Sequence, residues 1–227
     1  MTLTTRRHVL FDLDGTLVDT RAAVLECYTH VFRERLYRDF PPDDFPADEL
    51  FAMRPPEVFA IVAPDRVEEL HAAYRETYPR CVASIKVFEG IQDMVSGLVA
   101  SGRSVSLVTN KGIERTLIDL QVAGIPAKTF TAIVTAEDTI ERKPHPAPIL
   151  LGLERAGAKA AEAVYVGDGP QDIRAARNAG MPVVAVAYGF YDRAVLSTLD
   201  PDSLVDTPEA LSEALGVARQ ALRGAAQ

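Results

Sequence analysis

The chain has 227 residues, 48% hydrophobic and 25% charged, a globular balance that excludes wholesale disorder, a collagen-like repeat and a disulfide scaffold. Asp and Glu total 32 against 24 Lys and Arg, a net charge of −8, and no stretch is rich in Lys or Arg, so no nucleic-acid partner is expected. The length allows one large domain, or a domain carrying a sizeable insertion.

The N-terminus carries Arg6 and Arg7, but the apolar run at 9–11 is broken by Asp12 and is too short for a signal-peptide core. No apolar run nears the roughly 20 residues that span a bilayer. Cys27 and Cys81 form no Cys-x-x-Cys and read as small apolar fillers in a reducing cytosol. A cytoplasmic protein with no membrane partner is expected.

The first strand is predicted at 9–11. A helix follows at 22–36, with Val24, Tyr28, Val31 and Phe32 on one stripe and Asp19 and Thr20 as caps. Pro41, Pro42, Pro46, Pro55, Pro56 and Pro64 then break the chain into short pieces before a helix at 66–78. At 89–100, Ile91, Met94, Val95, Leu98 and Val99 predict a helix that Gly102 stops. Strands at 105–108, 132–135, 163–166 and 183–187 alternate with helices at 114–123, 149–156 and 171–179, each ended by a glycine. The helix at 114–123 places Leu117, Leu120 and Ala123 on its inner face. A weaker strand at 203–205, a helix at 208–223 and a frayed tail at 224–227 complete the chain.

The strands are almost continuously apolar, which suits strands buried on both faces. Strand–helix alternation predicts an α/β fold with a parallel sheet. The helix at 89–100 already supplies the first crossover, so residues 18–85 are surplus. They read as a small helical insertion, with linkers near 17–19 and 84–87, dividing a core of residues 1–17 and 86–227.

Ligands of open parallel sheets bind at the carboxyl ends of the strands. Those ends carry Asp12-Leu13-Asp14-Gly15-Thr16, Thr109-Asn110-Lys111, Lys143-Pro144-His145-Pro146 and Gly167-Asp168-Gly169-Pro170-Gln171-Asp172. Several carboxylates in one crevice repel each other unless a cation joins them, and oxygen-only ligation favours Mg²⁺. With Mg²⁺ and Lys143 present, the crevice can receive a phosphate dianion. Positions i and i+2 point the same way, so Asp12 and Asp14 both face the substrate. One attacks phosphorus, and the other serves as acid and then base. Gly15 lets the backbone turn and frees N–H groups for phosphate oxygens. Thr109 supplies a hydroxyl, and Asn110 is expected to cap the following helix, whose N-terminus favours anions, and so to join the phosphate-binding residues. Asp172 also suits the first turn of a helix through the dipole. His145 between prolines reads as structural. Tyr188, Phe190 and Tyr191 follow the fifth strand and either wall the site or, the favoured reading, serve core or rim packing, and His8, His30 and His71 are scattered.

These four motifs, in this order, resemble those of the haloacid dehalogenase superfamily. The insertion between the first two resembles the phosphoglycolate phosphatase-like branch with a helical cap. The resemblance spans residues 8–215. It implies a Rossmann-like core, a cap at 18–85 that sets specificity, Mg²⁺ dependence and hydrolysis of a small-molecule phosphate ester by a monomer or homodimer. It implies Asp12 as nucleophile, Asp14 as general acid/base and Thr109 with Lys143 as phosphate-binding pair. It also implies Asp168 as a metal ligand beside Asp12 and the Asp14 main-chain carbonyl, with Asp172 behind them.

Two departures stand out. Gly169-Pro170 replaces the Ser or Thr that many relatives have after the last-motif Asp. Arg54, in Met53-Arg54-Pro55-Pro56, stands where relatives often have a glycine. Arg54 is either a clamp for a substrate carboxylate or second phosphate, or a surface residue. The alternatives are a phosphosugar mutase, a pyrophosphatase, a dehalogenase and a non-catalytic binding domain. A mutase usually has Glu-Asp where this chain has Gly167-Asp168. A dehalogenase would leave Asp14 without a task. A binding domain would not need Asp12, Asp14 and Lys143 together.

Overall fold

The computed structural model of the chain describes residues 2–217 except 44 and 46. Its main sheet has six strands, all parallel: β1 (His8–Phe11), β4 (Ser104–Val108), β5 (Ala132–Val134), β6 (Ala163–Gly167), β7 (Val183–Val186) and β8 (Ser203–Val205). Their order is β5-β4-β1-β6-β7-β8. Val9 lies opposite Val105 on one side and Val164 on the other, so β1 is central. The chain leaves β1 toward β4 and returns to β6 on the far side. The crevice at the carboxyl ends of β1 and β6 is therefore the topological switch point.

Strand pleating divides the core in two. Val9, Phe11, Val105, Leu107, Val164 and Val166 face one layer, and Leu10, Val108 and Tyr165 face the other. Burial on both faces explains why the strands lack polar alternation. Helices α4 (Ile91–Ala100), α5 (Ile113–Val122), α6 (Ala147–Ala156), α7 (Pro170–Asn178), α8 (Arg193–Ser197) and α9 (Pro208–Ala214) complete the α/β arrangement. On α4, Ile91, Met94, Val95 and Leu98 are buried, while Val99 is exposed. On α5 the predicted face is rotated: Leu117 is exposed, and Thr116, Asp119 and Leu120 are buried. Past 217, the predicted last helix and tail lie outside the described residues.

Residues 18–85 are mostly helical. They include α1 (Arg21–Val31), α2 (Pro55–Val62) and α3 (Val67–Thr77). The predicted helix at 22–36 changes at Phe32 into a wider π turn, which ends at Tyr37 with φ 55°. Tyr28, Phe32, Phe40, Phe59 and Tyr74 pack ring against ring, with Tyr28 lying 4.8 Å from both Phe40 and Tyr74. The two expected linkers pair instead as an antiparallel ribbon, β2 (Val18–Asp19) with β3 (Lys86–Val87). Asp19 caps as expected, accepting the Arg21 N–H at 3.1 Å. Thr20 does not cap, because its hydroxyl donates to Asp14. Cys27 and Cys81 are buried free thiols. No described helix is long and apolar enough to cross a membrane.

Candidate active site

The sheet ladder continues one residue past two strands and thereby places two motif residues. The Asp12 N–H donates to the Val166 carbonyl at 2.9 Å, and the Thr109 N–H to the Val134 carbonyl at 2.9 Å. Asp12, Thr109, Lys143 and Asp168 are all buried at this edge. The Lys143 ammonium lies 2.8 Å from Asp12 Oδ1 and 2.7 Å from Asp172 Oδ1. It also donates to the Val108 carbonyl and the Tyr165 hydroxyl at 3.0 and 2.9 Å. Asp172 sits behind it in the first turn of α7, and its other oxygen accepts the Gly169 N–H at 3.0 Å. One carboxylate thus both pairs with Lys143 and accepts an N–H at the start of α7.

Asn110 departs from expectation. Its side-chain oxygen accepts the Lys143 N–H and its amide donates to the Lys143 carbonyl, both at 3.1 Å. It clamps the Lys143 backbone rather than capping α5. Gly112 takes the cap position, and Glu137 accepts the Ile113 N–H at 3.0 Å.

Asp14 faces a second lysine. Lys111 Nζ is 2.6 Å from Asp14 Oδ1, also contacts Asp119, and donates to the Tyr78 hydroxyl at 3.1 Å. Burial alone would raise the Asp14 carboxyl, but Lys111 and Thr20 hold it below the ordinary value. Lys111 belongs to the Thr109-Asn110-Lys111 cluster, and its sequence position alone gives it no task. Its partner Asp119 is a buried carboxylate on α5, and Tyr78 comes from the insertion, so only folding joins them.

Carboxylate oxygens of Asp12, Asp168 and Asp172 lie within 4.8 Å of one another. Burial pushes Asp12 up to about 7; the Asp172 and Asp14 charges add to this, and Lys143 opposes it. Burial, with the Asp172 and Asp12 charges, raises Asp168 well above the carboxylate range. One lysine among three buried carboxylates leaves a deficit of positive charge. All the donors are oxygens, so these residues fit a hard divalent cation such as Mg²⁺. A test follows from the sign. A carboxyl raised in the folded state costs stability as pH rises from its unfolded value toward 7. Mg²⁺ binds the ionised form, so it should raise the thermal midpoint several degrees more at pH 8 than at pH 5. Equal gains at both values, read by calorimetry, would reject this site.

Gly15 turns the chain at φ +75°, and its N–H donates to the Val18 carbonyl at 2.8 Å. A Cβ there would fall on the Asp168 carboxylate. Gly15→Ala should cost about 1–2 kcal/mol of stability from its backbone angle and should also displace Asp168. A variant with wild-type midpoint and wild-type Mg²⁺ stabilisation would show that neither constraint operates.

A cavity of about 100 Å³ opens over these groups. The sheet edge contributes Asp12, Asp14, Thr109, Lys143 and Asp168, and the insertion contributes Tyr28, Phe51, Arg54 and Tyr74. Arg54 precedes α2, lies 3.5 Å from Glu57, and keeps a buried Nε without a hydrogen-bond partner. Phe190, expected as core or rim packing, lines the cavity, lies 4.6 Å from the Phe51 ring and gives its N–H to Asp168 at 2.7 Å. Tyr188 supports the first-motif turn by donating to the Thr16 carbonyl at 3.0 Å. His145 is structural, accepting the Ala147 N–H at 3.2 Å.

The profile of the haloacid dehalogenase-like hydrolases matches residues 9–186. The chain belongs to this family. As a haloacid dehalogenase-like hydrolase it is 30% identical over 213 residues to the pyrophosphatase PpaX of Anoxybacillus flavithermus, covering 92% of this chain and 96% of that protein. Among solved structures, a haloacid dehalogenase-like family hydrolase from Streptococcus pneumoniae matches with TM-score 0.78 at 25% identity, over 92% of this chain and 99% of that one. CbbY from Rhodobacter sphaeroides, solved with xylulose-(1,5)bisphosphate, matches with TM-score 0.78 at 25% identity, over 88% and 94%.

Proposed function

We propose that this hydrolase is a cytoplasmic, Mg²⁺-dependent phosphatase that cleaves a small-molecule phosphomonoester through an aspartyl-phosphate on Asp12. The observation that carries the reading is the pairing at the crevice. Asp12 is locked against Lys143 at the sheet edge, while Asp14, two residues on, is held by a separate lysine. Lys111 favours the ionised form of Asp14, so in this reading the negative charge of the incoming phosphate raises its proton affinity before it serves as acid.

In the first step an Asp12 oxygen attacks phosphorus, the bond to the leaving oxygen breaks, and Asp14 gives that oxygen a proton. In the second step Asp14 takes a proton from water, and the water oxygen attacks phosphorus. Inorganic phosphate leaves and Asp12 is restored. Lys143 and Thr109 hold the phosphoryl oxygens, whereas the Gly15 N–H, expected to be free for them, is given to Val18. Asp12, Asp168 and the Asp14 main-chain carbonyl would hold Mg²⁺, with Asp172 behind them. Bound there, the ion would offset the charge of the phosphoryl group.

Residues 18–85 act as a lid in this reading, over a core of residues 1–17 and 86–227. Contacts across the cleft support it. Glu57 pairs with Arg142 at 2.5 Å, beside the Lys143 loop, and Arg75 pairs with Glu114 at 2.7 Å. A closed lid excludes water during the first step and reads the leaving group, with Arg54 among the residues that face it. A second reading, pyrophosphate hydrolysis, is favoured by the similarity to PpaX. The test is phosphate release from phosphomonoesters and pyrophosphate, with Mg²⁺ and with EDTA. Mg²⁺-dependent release supports the reading. No release from any of them, by folded protein, would remove it.

A further inference from the structure

Arg115 has no task in the chemistry above. It lies on α5, lines the cavity, and holds its guanidinium carbon 5.4 Å from the Tyr74 ring centre and 5.6 Å from that of Tyr78. The other cations of the cavity are matched by carboxylates. Lys143 has Asp12 and Asp172, Lys111 has Asp14 and Asp119, and Arg54 has Glu57 at 3.5 Å. Arg115 makes no hydrogen bond or ion pair with any described residue.

A guanidinium drawn from water loses hydration that ring faces only partly replace. Its five N–H donors remain unused, and their planar fork matches a carboxylate or phosphate edge. Its position has a direction too. Tyr74 and Tyr78 belong to the insertion, so Arg115 stands where the cavity meets the lid, the side from which the lid would read the leaving group.

We infer that Arg115 is a specificity residue that binds a second oxyanion, a carboxylate or a phosphate, carried by the leaving group of the substrate. The inference rests on the phosphomonoesterase reading. It narrows the substrate class to phosphate esters with two acidic ends.

The test uses three esters of one chain length: propyl phosphate, 3-phosphooxypropanoate and propane-1,3-diyl bisphosphate. Wild-type kcat/KM should be about 10- to 100-fold higher for at least one two-ended ester than for propyl phosphate, the range expected of a charge-assisted contact. Which one is preferred separates carboxylate from phosphate. Arg115→Gln should bring that ratio near one, mainly through KM, and Arg115→Lys should recover part of it. Thermal midpoints report whether each variant is folded. A wild-type ratio near one overturns the inference and leaves the phosphatase reading intact. So does a ratio that Arg115→Gln does not change. Release from none of the three while other phosphomonoesters are hydrolysed overturns the inference alone, and release from no phosphomonoester or pyrophosphate overturns both.

Discussion

Asp12→Asn should lower turnover by at least about 10⁴-fold, the scale seen when a covalent nucleophile is removed. The amide matches the carboxylate in size but is a far weaker nucleophile. Stability should move the other way. Burial and neighbouring carboxylates push Asp12 up to about 7, so its ionised form costs the metal-free fold at alkaline pH. The metal-free variant should therefore unfold at the wild-type temperature or above it at pH 8. Mg²⁺ should stabilise it less than wild type. A purified variant with more than about one hundredth of wild-type activity would reject Asp12 as nucleophile. A midpoint several degrees lower would show that the charge contributes through Lys143 more than it costs.

Lys143→Met should be the most damaging single change to the fold. The ammonium is buried and meets Asp12, Asp172, Tyr165 and the Val108 carbonyl together. Its removal leaves buried carboxylates without their cation, a cost of about 3–5 kcal/mol. The nearby carboxylates raise the lysine well above its usual value, so its contribution persists through neutral pH and is lost only in strong alkali. The variant, by contrast, should regain stability as pH falls below 7, where Asp12 takes up a proton. Adding Asp172→Asn should return much of the loss, because it removes one stranded charge. Urea denaturation of the single and double variants decides this. Additive losses, or a single-variant cost under about 1 kcal/mol, would mean the pair is not energetically linked.

The two lysines divide the site. Lys143 pairs with Asp12, and Lys111 pairs with Asp14. Tyr78 bonds Lys111 from the inserted segment, so the geometry of Asp14 depends on that segment as well as on the sheet. Asn110 couples the two loops by clamping the Lys143 backbone.

The parallel sheet was legible because each strand is short, apolar throughout and followed by a glycine-stopped helix. Asp12, Asp14, Thr109, Lys143 and Asp168 were legible because each follows a strand, and a parallel sheet delivers all carboxyl ends to one edge. The inner face of α5 was not legible. Periodicity assumes that Leu117 turns inward and Asp119 outward, and the fold reverses this because Lys111 supplies a buried partner for Asp119. The ribbon of β2 with β3 joins segments too far apart for local pattern to pair.

The sequence by itself therefore determined the sheet class, the edge where the motif residues gather and the acidic groups on it, since these follow from local periodicity and strand-end position. Only the tertiary structure decided which lysine serves which carboxylate, that Asn110 braces Lys143, and that Phe190 and Arg115 face the cavity. Those pairings join residues from separate elements, and their energy comes from burial and neighbouring charge, which exist only once the chain has folded.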